Sequence, residues 1–126
     1  MPDSVTKAVR QLTDIGVRRL EHLEVLIVLC RQPNRDWDAD QIAGASTIPR
    51  AAAADALAHL HRHDLLRLVD AGRATYRLGE RPELAALAEV RRAFERDRVA
   101  VMNVFFACNL DSLRSFADAF RMRRKD

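Results

Sequence analysis

The sequence predicts a mostly α-helical fold in which a three-helix core is closed by a small two-stranded ribbon, with long helices following it. Three observations lead there. Apolar residues recur at helical spacing over most of the chain, the first being Val5, Ala8, Val9, Leu12 and Ile15. Only four glycines and four prolines punctuate the 126 residues, which leaves little room for loops. Residues 37–78 then read in turn as helix, tight turn, helix and hairpin.

The elements follow in order. Asp3 or Ser4 is placed to cap the opening helix. Leu20, Leu23, Ile27 and Cys30, widened by Val17, Leu26 and Leu29, predict a second helix from Gly16 to Gln32, stopped by Pro33-Asn34. Its broad apolar face suits a helix buried under two others. Asp38 with Gln41 three residues on has the capping-box spacing for a short third helix bearing Ile42 and Ala43. Gly44 to Thr47 supplies the turn. Ser46 or Thr47 caps the fourth helix, near whose first position Pro49 loses nothing by lacking an N–H. Ala53, Leu57 and Leu60 form its inner face. His63-Asp64 ends it, Asp64 standing where a left-handed residue is expected. Leu66 to Val69 and Thr75 to Leu78 read as strands around the turn Asp70-Ala71-Gly72-Arg73.

This order is that of a winged helix-turn-helix domain, and the stretch resembles winged-helix transcriptional regulators of the MarR-like and PadR-like kind. The resemblance rests on Trp37-Asp38-x-x-Gln41-Ile42-Ala43, Leu57-x-x-Leu60, Asp64-Leu65-Leu66 and Tyr76-x-Leu78, about a third of the chain. Those families usually write Gly-Leu before the first strand; here the glycine is Asp64.

After Gly79-Glu80-Arg81-Pro82 the spacing predicts an uninterrupted helix from Pro82 to about Ala107. Its stripe runs through Leu84, Leu87, Val90 or Arg91, Phe94, Val101, Val104 or Phe105, and Cys108. A charged patch, Arg91 to Arg98, lies in its middle. Asn109 or Asp111 breaks or caps it, and Leu113, Phe116, Ala117 and Phe120 make a last stripe before Arg121-Met122-Arg123-Arg124-Lys125. All five phenylalanines fall in these helices, and a long exposed apolar helix normally finds a partner. In the resembled regulators terminal helices make a homodimer. The division expected is therefore residues 1–80 as a winged helix-turn-helix domain with an N-terminal helix, and 81–126 as a C-terminal helical dimerisation region. Leu87, Phe94, Val101, Phe105, Phe116 and Phe120 are the expected interface. A monomer, or a complex with a second protein, are the competing arrangements.

The function expected is a homodimeric DNA-binding transcriptional regulator. On the fourth helix, Thr47, Arg50, Ala51, Ala54, Asp55, His59 and Arg62 lie off the apolar face, and Arg50 is the first candidate for a base edge or phosphate. Ser46 and Thr47 can meet phosphate at the helix start. Arg73 at the wing tip, with Arg67 and Arg77 on the strands, can clamp the backbone of double-stranded DNA. The net charge of +3 is compatible with nucleic acid but does not demand it. Pro49 to Asp55, P-R-A-A-A-A-D, is nearly bare of donors and ends on a carboxylate. The alternative is therefore a winged helix that docks protein, its alanines allowing close packing.

Other classes fit less well. No Gly-rich phosphate loop, G-x-S-x-G elbow or H-E-x-x-H is present, so catalysis is not expected. Asp55, His59 and His63 share a helix face at i, i+4, i+8, but no second cluster completes a metal site, and neither metal nor cofactor is expected. Cys30 and Cys108 sit among apolar neighbours and read as buried thiols before a redox pair. In the resembled families a small-molecule effector can sit between winged domain and long helix. No apolar run approaches the ~18 residues of a membrane span. The amino terminus lacks a signal-peptide build, so a cytoplasmic protein is expected.

Overall fold

The computed structural model describes the backbone of residues 2–124 and the side chains of residues 2–111. Six α-helices and one antiparallel strand pair are formed among the described residues, a layout compatible with a winged helix. The helices are α1 (Asp3–Asp14), α2 (Leu20–Arg31), α3 (Ala39–Ala45), α4 (Arg50–Arg62), α5 (Leu87–Arg96) and α6 (Arg98–Arg124). The strands β1 (Leu66–Asp70) and β2 (Thr75–Leu78) lie between α4 and α5.

α2 lies at the centre because its apolar residues go most of the way round it. Leu23, Val25, Leu26, Ile27, Val28 and Leu29 are all buried, so it packs on α4 and β2 on one side and α5 on the other. Its start differs from the expectation, falling at Leu20 rather than Gly16. The cause is a glycine corner. Gly16 has φ of +116°, and a Cβ there would lie 2.5 Å from the His63 ring, so only glycine fits. The helix is then opened by His22, whose Nδ1 accepts from the N–H groups of Arg18 (3.2 Å) and Arg19 (3.0 Å). α1 has no side-chain cap from Asp3 or Ser4; Pro2 occupies the cap position. It packs against α5 and α6, so by its contacts it belongs with the C-terminal helices.

The capping box forms as its spacing predicts: Asp38 Oδ1 accepts from Gln41 N at 2.8 Å and Gln41 Oε1 from Asp38 N at 3.0 Å. The turn comes later than expected, after Ala45. Neither Ser46 nor Thr47 caps α4, which starts behind Pro49. The Ser46 hydroxyl instead donates to Ile42 O (2.7 Å) and accepts from Ile48 N (3.2 Å), tying the turn together. At the other end of α4, Asp64 does take the left-handed conformation, φ +62°, and Leu65 N reaches back to Leu60 O. The hairpin follows, with Leu66 opposite Leu78 and a bulge between Leu68 and Asp70. Trp37 adds a single bridge to Tyr76, its N–H and C=O both bonded, so a residue far upstream pins the outer edge of β2.

The C-terminal helices depart most from the expectation. Pro82–Ala86 is a 3₁₀ turn, and the predicted continuous helix is broken at Asp97. The Asp97 carboxylate accepts from Ala100 N at 3.1 Å and so caps α6. The break lets α5 and α6 fold against each other and against α1. No interruption occurs at Asn109 or Asp111: Asn109 bonds Phe105 O one turn back, Arg10 pairs with Asp111, and α6 runs on to Arg124. The four expected interface residues Leu87, Phe94, Val101 and Phe105 are corrected by burial. All four lie in the chain's own core, 8% exposed or less, and have no surface left to offer. The side chains of Phe116 and Phe120 lie outside the described residues. No described helix is long and apolar enough to cross a membrane.

Candidate nucleic-acid interface

The amino-terminal half of α4 stands clear of the body. Ala53, Ala56, Leu57 and Leu60 point inward, which leaves Arg50, Ala51, Ala54 and Asp55 exposed, with Thr47 in the turn before them. Ser46 is turned in and its hydroxyl is already engaged. Across from this face the wing tip is shaped by Asp70, whose Oδ1 accepts from the N–H groups of Gly72 (3.0 Å) and Arg73 (3.3 Å). The left-handed position of the tip falls on Ala74, φ +48°, not on Gly72. The result is a cleft of about 160 Å³ that brings Arg50 and Ala54 from α4 together with Arg73 from the wing, and that Asp38, Asp40 and Tyr76 also line.

Two expected phosphate ligands are already committed. Arg50 Nε lies 2.5 Å from Asp40 Oδ1, across from the first turn of α3. Arg77 Nε lies 2.8 Å from Asp36 Oδ1 in a half-buried pair. Arg67 and Arg73 are exposed and belong to no ion pair among the described residues. The surface is thus a mosaic, in which Asp36, Asp38, Asp40 and Asp55 offset the arginines. Spacing alone could not reveal this, because each pair joins different elements.

His59 does not face the groove. Its Nε2 lies 2.7 Å from Gly16 O, and its ring stacks on His22 with centroids 3.9 Å apart and planes 9° from parallel. His63 closes the far side of the stack at 4.5 Å. The i, i+4 pair on α4 therefore grips the α1–α2 corner. Burial, reinforced by the neighbouring His59, lowers the His22 pKa to about 4. The same two causes lower that of His63. Neither ring adds positive charge to the α4 surface at neutral pH. Burial also pushes the Cys30 and Cys108 thiols up, which makes both poor nucleophiles.

Two clefts among the described residues border the C-terminal helices, and the larger, about 380 Å³, lies between Pro2, Ser4 and Val5 and the Arg92, Ala93 and Arg96 side of α5. The smaller, about 170 Å³, lies among Ile27, Val28, Ser46 and Phe94, with Arg98 paired to Glu24 at its rim. Small-molecule sites run from about 300 to 1,000 Å³. Compared with known proteins, the chain matches no family model, no curated protein and no solved structure.

Proposed function

We propose that the chain is a DNA-binding transcriptional regulator in which α3 and α4 act as helix-turn-helix and β1–β2 as the wing. The observation that carries this reading is the uncovered cleft shared by Arg50, Ala54 and Arg73. A duplex laid there would have α4 in its major groove and the wing tip against a backbone. Arg67 and Arg73 serve as phosphate ligands, and Arg50 reaches a base edge once it is released from Asp40. The alanines leave room for close approach and contact thymine methyl groups at most. Sequence preference then comes mainly from Arg50 and Thr47.

The test is anisotropy titration of mixed genomic DNA fragments at low and near-physiological salt. Binding is expected to fall steeply with salt while an enriched subset of fragments stays bound. Arg73→Ala should weaken binding to all fragments alike and lower the salt slope by about one. Asp40→Asn should tighten it, because the Arg50 guanidinium is released. No binding at low salt, by wild type or Asp40→Asn, would overturn the reading. It would favour the second one, a protein-docking winged helix, to which the Asp40–Arg50 and Asp36–Arg77 pairs lend support.

A further inference from the structure

The cleft of about 380 Å³ lies where the first turn of α1 meets α5 and the start of α6. No residue of α2, α3, α4 or the hairpin lines it, so it is not the space between winged domain and long helix that the resemblance points to. Part of its lining is apolar: Val5, Ala93 and Ala100 bring small side chains to it, and the first two are buried. The charged part belongs to α5. Glu89, Arg92 and Arg96 stand at i, i+3 and i+7 and so share a helix face. Glu89 and Arg92 have the spacing of a helical ion pair. Yet the side chains of all three make no ion pair or hydrogen bond among the described residues. Asp97, the other acid at this cleft, is already engaged, since its carboxylate accepts from Ala100 N at 3.1 Å.

We propose that this cleft binds a small amino carboxylate with an apolar side chain, Arg92 and Arg96 taking its carboxylate and Glu89 its ammonium. Arg92 and Arg96 stand one turn apart, and two guanidinium groups at that spacing repel unless an anion lies between them. A carboxylate suits both, because each guanidinium presents a planar fork of N–H donors to its two oxygens. Glu89 lies about 4.5 Å before Arg92 along the helix axis, so one small molecule can reach both. Charge selects this class over a plain anion. Arg92 and Arg96 are balanced by Glu89 and Asp97, and the lining carries no net charge. Phosphate would meet repulsion from the acids as well as attraction from the arginines, whereas a zwitterion finds opposite charge at both ends. Val5, Ala93 and Ala100 then receive an apolar side chain. The volume falls at the lower end of small-molecule sites.

This inference does not rest on the DNA reading and is tested without nucleic acid. Free leucine and free phenylalanine are titrated into the full chain by calorimetry. The comparisons are isocaproate, which lacks the ammonium of leucine, isoamylamine, which lacks its carboxylate, and inorganic phosphate. At least one of the two amino acids is expected to bind with a Kd on the order of 100 μM, and each comparison compound at least about tenfold more weakly. Arg92→Gln and Arg96→Gln alter exposed side chains. Each should leave helical content unchanged and weaken the amino acid by about tenfold or more. Glu89→Gln should close the gap between leucine and isocaproate, because the ammonium loses its partner. Failure of both amino acids to bind at millimolar concentration overturns the inference. So does isocaproate or phosphate that binds the wild-type chain as tightly as the amino acid, which leaves a plain anion site. Amino-acid binding that ignores all three substitutions overturns it too, by placing the site elsewhere.

Discussion

Phe105→Ala is expected to lower the free energy of unfolding by about 3–5 kcal/mol, enough to unfold many domains of this size. Phe105 is 1% exposed and heads the fully buried side chains by volume among the described residues. It lies where α6 packs on α1 and α5, so its loss opens a cavity among three helices whose backbones cannot all close on it. Its chain neighbour makes the control. Phe106 touches it edge-on, with centroids 5.8 Å apart, but is half exposed. Phe106→Ala should cost below about 1 kcal/mol in folding. The comparison is made by urea titration of Phe105→Ala, Phe106→Ala and the wild-type chain side by side. A Phe105→Ala loss no larger than that of Phe106→Ala would mean that α6 is not seated on the core by this face.

The second large effect is acid destabilisation through His22. The ring is 5% exposed, stacked under His59, and its Nδ1 must stay unprotonated to accept from Arg18 and Arg19 N–H. Its folded pKa of about 4 lies below the ordinary 6.5. Above pH 6.5 both folded and unfolded chains hold the ring neutral, and stability does not depend on it. As pH falls from 6.5 towards 4 the unfolded chain takes up a proton that the folded chain refuses, so stability drops across that window. The displacement corresponds to roughly 3 kcal/mol. The ring borders a small open cleft with Arg19, Glu21 and Asp55, so a loss of about 2 kcal/mol is expected after solvent screening. His63, lowered for the same reasons, acts in the same direction. His22→Asn keeps an acceptor near the Nδ1 position and cannot titrate. Its stability should fall less steeply between neutral pH and about 4, with the difference between the curves reporting the His22 proton. Superposing curves would show that the ring protonates in place.

Much of the fold was legible because its signals are local. The Asp38–Gln41 box, the left-handed Asp64 and β2 at Thr75–Leu78 each depend on residues within a turn or so of one another. They stand where spacing placed them. The candidate interface was legible as a set of residues but not as a surface. Arg50, Ala54 and Arg73 do meet in one cleft, yet Asp40 and Asp36 reach Arg50 and Arg77 from other elements, and His59 turns to Gly16 across the molecule.

The C-terminal helices show the division most sharply. By itself the sequence determined that the chain after Pro82 would be mostly helical and rich in apolar residues, but it placed the interruption near Asn109 or Asp111 and not at Asp97. Spacing singles out the stripe of Val101, Phe105 and Cys108, which the resemblance turns towards a partner, and passes over Val99, Phe106 and Leu110. Only the tertiary structure decided between them. Asp97 ends α5, α6 folds back on α1 and α5, and the direction of that return turns the first stripe inward and leaves the second outside. Helical periodicity fixes which residues share a face; which face is buried depends on the neighbour it meets, and that neighbour is distant in the chain.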